Sequence, residues 1–279
     1  LLVLKFGRPN FRESVLSNLL KKVKKALIDP GRVFTTIIDK IGQFREDAPD
    51  YVVLGGTINP IPKTSKGNPA IIITHTLDYD FFLTDKSSQV ESNDGGLVFL
   101  DQDSVWHSDF VHIGTKAAVT AENYYSTINT GLSQIADDLG YNVRVAAHPR
   151  SDYDNKSFKY SFPILKDKTY ELIKQASVVV SHDSTALSWA IILRKPIILV
   201  TTDELHNQVG NIESDIARLS IDKFAFLIGK DVVNLNRIPN KFDWRTQLLV
   251  DETKYQNYIE TYVKRPGSLE KPVWEIVID

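Results

Sequence analysis

Four short polar segments each follow an apolar, strand-like run, and together they hold most of the side chains able to do chemistry. Asp101-Gln102-Asp103 follows the run 97–100, and His148-Pro149-Arg150 follows 142–147. Ser181-His182-Asp183-Ser184-Thr185 follows 178–180, and Thr201-Thr202-Asp203-Glu204 follows 196–200. In an open parallel sheet, ligands bind beyond the carboxyl ends of the strands. Four such ends bring acids, imidazoles, hydroxyls and a guanidinium to one rim, which a purely structural sheet does not require.

Segment 181–185 reads as a strand running into a helix at about Thr185. A helix start presents unpaired N–H groups and the positive end of the helix dipole. With the hydroxyls of Ser181, Ser184 and Thr185 beside it, that start suits phosphate. Taken alone the segment favours the plainer reading, an N-cap at Asp183 or Ser184, and His148 on the neighbouring rim tips it towards phosphate. His148, biased towards an extended backbone by Pro149, could neutralise or protonate a departing phosphate. Arg150 either joins it or pairs with Asp152 or Asp154. His182, Thr201 and Glu204 complete the expected substrate-binding set.

A general base has four candidates: Asp101, Asp103, Asp78 and Asp80. The last two belong to the phrase His75-Thr76-Leu77-Asp78-Tyr79-Asp80, which follows the run 70–74 and is read as its strand end. Their Asp-x-Asp spacing suits a metal, but the second half of the chain offers phosphate ligands without one. The expectation is therefore no metal and no cofactor. Trp106, His107, Tyr124 and Tyr153 stand near these segments, with pocket roles and ordinary packing equally open.

The elements that must position these residues follow from apolar periodicity. Strands are expected at 2–6, 51–54, 70–74, 97–100, 142–147, 178–180 and 196–200. Helices are expected at 11–27, 33–44, 120–139, 169–176, 186–193 and 252–263, followed by a Pro-Gly turn and a tail. The helix 11–27 carries Lys21, Lys22, Lys24 and Lys25 on its polar face. Strands separated by helices imply parallel β-α-β units, and runs such as Val178-Val179-Val180 suit strands buried on both faces. The fold class is α/β, with two Rossmann-like domains and mostly parallel sheets. The polar stretch 84–96 is read as the linker, giving domains 1–96 and 97–279.

Composition narrows the classes. The 279 residues carry 33 basic and 35 acidic side chains, and a formal charge of -2 gives no basic excess for nucleic acid. Cysteine is absent, which removes disulfides, thiolate metal sites and a cysteine nucleophile. Methionine is also absent, even at position 1. No apolar run reaches the roughly 18 residues of a membrane span, and no signal peptide opens the chain, so a soluble cytoplasmic protein is expected. A Gly-x-Ser-x-Gly elbow is missing, which disfavours a serine hydrolase.

The order of an acidic strand end, His148-Pro149 and Ser181-x-x-Ser184-Thr185 resembles GT-B glycosyltransferases of bacterial surface and capsular polysaccharide synthesis. It is similar above all to sialyltransferases, polysialyltransferases and Kdo transferases. The stretch from Thr185-Ala186-Leu187-Ser188-Trp189-Ala190 to Arg194-Lys195-Pro196-Ile197 resembles their small-residue helix and the strand after it. The resemblance covers about 97–205, and the first hundred residues only loosely. It implies a GT-B-like fold, with a nucleotide-sugar domain at 97–279 and an acceptor-side domain at 1–96.

It further implies an inverting, metal-independent transferase that takes a sugar from a nucleotide-activated donor, CMP-sugar slightly favoured. The acceptor would be a glycan or lipid-linked glycan, reached at the inner face of the membrane by peripheral association. His148 would contact the nucleotide phosphate, Ser184 and Thr185 would hold it, and an acid, Asp101 first, would activate the acceptor. Asp101-Gln102-Asp103 lacks the glycine of the family's acidic motif, which leaves the base open. A nucleotide-sugar 2-epimerase, a CDP-polyol phosphotransferase and a non-catalytic GT-B-like binding subunit remain the alternatives.

Overall fold

The computed structural model describes residues 2–4, 51–57, 69–85, 95–114, 116–207, 212–239 and 241–278. The helices expected at 11–27 and 33–44, and most of the linker 84–96, lie outside the described residues. The chain divides into two compact units, Leu1–Thr84 with Glu260–Asp279, and Asp85–Ile259.

The second unit is built on a six-stranded sheet: β4 (Leu97–Leu100), β5 (Val143–Ala146), β6 (Ile164–Leu165), β7 (Val178–Ser181), β8 (Ile197–Thr201) and β9 (Val232–Asn234). Its strand order is β6-β5-β4-β7-β8-β9, and every pairing is parallel. From β4 the chain winds outward through β5 to β6, then returns to β7 and winds the other way. The strand order therefore reverses between β4 and β7, where two neighbouring crossovers leave in opposite directions and open a crevice at the strands' carboxyl ends.

All four residues of β4 and of β7, and all five of β8, are buried, as continuous apolar runs in a sheet covered on both faces require. Alternation sends Leu97, Phe99, Val178, Val180, Ile198 and Val200 into one core. The helix Ala121–Leu139 closes that core with Tyr124, Tyr125, Ile128, Leu132 and Ile135 at helical spacing. Gly140 ends this helix in the left-handed conformation (φ 70°), and its N–H bonds the carbonyl of Ala136. The opposite face is covered by the helices Thr169–Gln175 and Leu187–Ile192, with Ile173, Leu187 and Ile191 buried.

The first unit contains β1 (Leu2–Leu4), β2 (Tyr51–Gly55) and β3 (Ala70–Thr74), with β1 antiparallel to β2 and β2 parallel to β3. The chain's end returns to this unit, whereas the sequence assigns it to the second. The N–H of Thr57 reaches the carbonyls of Glu260 and Thr261, and that of Arg265 reaches Thr74. Gly56 (φ 75°) lies so close to the Thr261 carbonyl that a Cβ there would overlap it. A helix, Val273–Ile278, occupies what reads in the sequence as a tail.

Several other elements depart from the sequence expectation. The phrase after β3 is not a strand end: Leu77–Thr84 is a helix, with Asp78 and Asp80 in its first turn. The helix after β7 begins at Leu187 rather than Thr185 and runs only to Ile192. The last long helix stops at Tyr258 and continues as a π-helical turn, Ile259–Val263. Segments left unassigned in the sequence form the helices Ser108–Ile113, Asp203–Asn207, Ile212–Ile228 and Trp244–Leu248. Among the described residues, no helix is long and apolar enough to cross a membrane.

Candidate functional site

The loop leaving β4 forms the floor of the site. Asp101 is buried, and its carboxylate accepts four hydrogen bonds. Oδ1 takes the N–H of Asp103 (2.8 Å) and the hydroxyl of Tyr160 (2.8 Å). Oδ2 takes the N–H of His148 (3.0 Å) and the hydroxyl of Tyr153 (2.5 Å). Four donors meet the hydrogen-bonding capacity of an ionised carboxylate, so burial here is compensated. Burial first, and then the charge of Asp101, hold the phenols of Tyr153 and Tyr160 far above the ordinary tyrosine range, fixing them as donors. For Tyr160 the neighbouring Tyr124 adds to burial ahead of Asp101.

Asp103, two residues on, is 3% exposed and sits in the left-handed region (φ 52°), a strained backbone for a residue other than glycine. Its Oδ1 has no hydrogen-bond partner among the described residues. Burial, then the adjacent Asp101, push its carboxyl up from 3.8 to about 6, with His107, the Trp106 N–H and Lys156 working in the opposite direction. A carboxyl raised into that range suits proton abstraction near neutral pH. The carbonyl of Asp103 accepts the N–H of His107 (3.0 Å), so this turn also directs the His107 side chain.

His148 stands after β5 with its backbone held on both sides. Asp101 takes its N–H, and its carbonyl accepts from the Ser151 N–H (2.9 Å) and the Ser151 hydroxyl (2.7 Å). The N–H of Arg150 donates to Nδ1 (3.3 Å), so neutral His148 carries its proton on Nε2. Its ring meets that of His107 edge-on, with centroids 4.8 Å apart. Beyond them, the Lys156 ammonium lies 4.5 Å from the centroid of the exposed Trp106 ring.

A cavity of about 230 Å³ opens at the β4–β7 reversal. Gln102, Ser104, His107, His182, Asp183 and Thr201 supply its polar lining, and Phe110, Ala118, Leu205 and Ile221 the apolar part. Gln102 Nε2 donates to Asp183 Oδ1 (2.7 Å), tying the two strand ends together. His182 is buried and neutral. Nδ1–H donates to the Val200 carbonyl (2.6 Å), Nε2 pairs with the Tyr124 hydroxyl (3.0 Å), and burial lowers its pKa.

Other expected residues are placed differently. Ser181 is fully buried in β7, and its Oγ has no hydrogen-bond partner among the described residues. Ser184 Oγ accepts the N–H of Ala186 (3.3 Å), a local turn ahead of the short helix, and Thr185 is exposed beside it. Glu204 accepts the Thr120 N–H (3.0 Å), the Thr120 hydroxyl (3.2 Å) and Asn123 Nδ2 (2.8 Å). Its carboxylate thus caps the helix Ala121–Leu139. Ser184, Thr185 and Glu204 are not among the residues lining the cavity.

Asp78 and Asp80 belong to the first unit. His75 Nε2 meets Asp80 Oδ1 at 2.6 Å, and Nδ1 meets the Thr74 hydroxyl at 3.0 Å. Asp80 also accepts the N–H of Val273 on both oxygens (3.0 and 3.2 Å), fixing the start of the helix Val273–Ile278. Asp78 lines a separate cavity of about 220 Å³ with His75, Thr76 and Val273. Among the described residues, no group of three or more His, Asp or Glu side chains could hold a metal ion.

Tyr160, Ser151 and the bent backbone at Asp103 are the residues that sequence reasoning missed as parts of this site. No local signal marks Tyr160, whose partner Asp101 lies 59 residues away, and Ser151 enters through a turn onto His148, three residues before it; at Asp103 the sequence marks the acid but not its conformation.

No protein-family model and no curated protein matches the chain. Among solved structures it is similar to a UDP-GlcNAc 2-epimerase of Methanocaldococcus jannaschii, crystallised with UDP-GlcNAc and UDP. There the identity is 14% and the TM-score 0.35, over 75% of this chain and 54% of that one. The beta Kdo 2,4 transferase KpsC of Thermosulfurimonas dismutans matches at 12% identity and TM-score 0.27, over 69% and 50%. A UDP-GlcNAc 2-epimerase of Neisseria meningitidis bound to UDP-GlcNAc matches at 12% and 0.31, over 75% and 54%. The chain spans about half the length of each.

Proposed function

We propose that the second unit binds a nucleotide-activated sugar at the β4–β7 reversal, and that the protein is a glycosyltransferase acting on a glycan acceptor in bacterial surface polysaccharide synthesis. One observation carries the reading: the raised, buried carboxyl of Asp103 stands beside His107, which lines a cavity at the sheet's switch point and whose ring meets that of His148. Asp103 is the base in this scheme, and Asp101 is a positioning residue whose oxygens are occupied by protein donors. Asp103 takes the proton of the acceptor hydroxyl as its oxygen attacks the anomeric carbon. The bond from that carbon to the phosphate oxygen breaks, and Nε2–H of His148 stabilises the charge left on the phosphate. Attack from the face opposite the leaving group inverts the anomeric centre, and the scheme uses no metal.

The first test is the melting temperature with CMP, CDP, UMP, UDP and GDP, in wild type and His148→Ala. A ligand that binds only the folded state at a hundredfold excess over its Kd stabilises by about 2.7 kcal/mol. The expected result is a shift with one nucleotide family, CMP first, that disappears in the variant. Incubation of the matching sugar nucleotide then separates the reactions. Turnover only with an added glycan supports the transferase, conversion of the donor alone supports an epimerase, and binding without turnover supports a non-catalytic subunit. No shift with any nucleotide overturns the proposal.

A further inference from the structure

We infer that Asp183 and Gln102 form a subsite for vicinal sugar hydroxyls in the cavity at the β4–β7 reversal, with the ribose of the nucleotide as the ring they hold. This rests on the reading of the second unit as a nucleotide-sugar site. Asp183 stands just ahead of the helix Leu187–Ile192, where the ordinary role of an aspartate is to cap. It has another role here. That helix starts without a side-chain cap, and the N–H of Ala186 goes to Ser184 Oγ (3.3 Å). The Asp183 side chain lines the cavity instead, and its Oδ1 takes Gln102 Nε2 (2.7 Å). The Asp183 N–H approaches Gln102 Oε1 (3.5 Å), so one amide meets residue 183 at both backbone and side chain. Its neighbour His182 is fixed by Val200 and Tyr124. The carboxylate is therefore held in place before any ligand arrives, which lowers the cost of binding one.

The chemistry of the pair selects its ligand. A carboxylate has about four acceptor positions, and Gln102 fills one of those on Asp183; the Gln102 amide keeps a second N–H. Acceptors and a donor thus stand side by side. A phosphate only accepts and an amino group only donates, so either engages half of the pair. A hydroxyl does both: two adjacent ring hydroxyls donate to Asp183 and accept from Gln102. The Ser104 and Thr201 hydroxyls, which also donate and accept, line the same cavity. Phe110, Leu205 and Ile221 give it apolar surface for the C–H face of a ring or for a heterocycle. A nucleotide-activated sugar carries such hydroxyls on its ribose and on the sugar to be transferred, and the test separates the two.

Isothermal titration of CMP and UMP against their 2′-deoxy analogues, and of UDP against UDP-glucose, tests this in wild type, Asp183→Asn, Gln102→Ala and Glu204→Gln. The Glu204 carboxylate caps a helix and does not line the cavity, so that variant is the control. The ratio of ribonucleotide to deoxyribonucleotide affinity is internal to each variant, so a general loss of folding cancels from it. Wild type is expected to favour the ribonucleotide by roughly ten- to hundredfold, the scale of a hydrogen bond to a charged group. Asp183→Asn should bring the ratio close to one, Gln102→Ala should lower it less, and Glu204→Gln should leave it unchanged. If Asp183→Asn spares that ratio but lowers the affinity for UDP-glucose relative to UDP, the subsite stands and the hydroxyls are those of the transferred sugar. If neither ratio moves in Asp183→Asn, or all ligands weaken equally, the subsite falls while the nucleotide site stands. If no nucleotide binds the wild type, the inference falls together with the reading beneath it.

Discussion

Each unit pairs a histidine and an aspartate beyond the carboxyl ends of parallel strands, and the two pairs are used in opposite ways. His75 gives both ring nitrogens to the protein, one to Asp80 and one to Thr74, and Asp80 goes on to hold the chain at Val273. There the side chains hold the fold. At His148 the fold holds the side chain: Asp101 and Ser151 fix its backbone, and its ring is turned towards His107. Residue type and strand-end position do not separate structural from chemical histidines. What differs between them is how each is held, His75 through its ring and His148 chiefly through its backbone.

The sharpest way to break this contrast is to remove each imidazole. His148→Ala is expected to cut turnover by about 10²- to 10⁴-fold, the usual weight of a group that moves or holds a proton. Steady-state rates on a matched donor and acceptor check it. His75→Ala should leave nucleotide binding intact yet lose about 1–3 kcal/mol of stability, because Asp80 and Thr74 each lose a hydrogen-bond partner in a largely buried setting. Urea unfolding followed by hydrogen exchange at the Val273 amide reads that loss. A His75 variant that stays stable but no longer binds nucleotide would reverse the comparison.

Asp103 sharpens it further, because it trades stability for chemistry. Its carboxyl ionises at about pH 4 in the unfolded chain and at about 6 in the folded one. Between those values the folded state binds the extra proton, so stability falls as pH rises through the window and stays lower above it. The loss is roughly 3 kcal/mol. Asp103→Asn, which tolerates the left-handed backbone, should therefore be more stable than wild type at pH 7 and 8 and equal to it near pH 4. Its turnover should nevertheless collapse. Chemical denaturation at the three pH values, beside an activity assay, decides both halves.

The smallest expected effect concerns Glu204. Glu204→Gln should cost about 0.5–1 kcal/mol through the weakened cap of the helix Ala121–Leu139 and leave nucleotide affinity unchanged. A thermal melt with and without the best-binding nucleotide suffices. Loss of the ligand shift would return Glu204 to the substrate site, where its sequence position puts it.

The strands of the second unit were legible because strands buried on both faces read as unbroken apolar runs, and β4, β7 and β8 are such strands. The rim was legible as a set for the same reason, since whatever follows such a run must sit at its end. The roles within the rim were not. Asp101 gains its partners from His148, Tyr153 and Tyr160, 47, 52 and 59 residues away, and nothing near it announces them. Leu77–Thr84 was read as a strand end because the apolar run before it hid the change to a helix, whose mixture of acids and aromatics has no clear period. Glu204 was read from position, whereas its cap on Thr120 arises only when β8 and the long helix meet.

The return of residues 260–278 to the first unit sets an order of assembly on the ribosome. The second unit is one continuous stretch, Asp85–Ile259, and can close as soon as it has emerged. Thr57, Thr74 and Asp80 are synthesised earlier, yet their partners Glu260, Arg265 and Val273 come last. The half made first is therefore completed last.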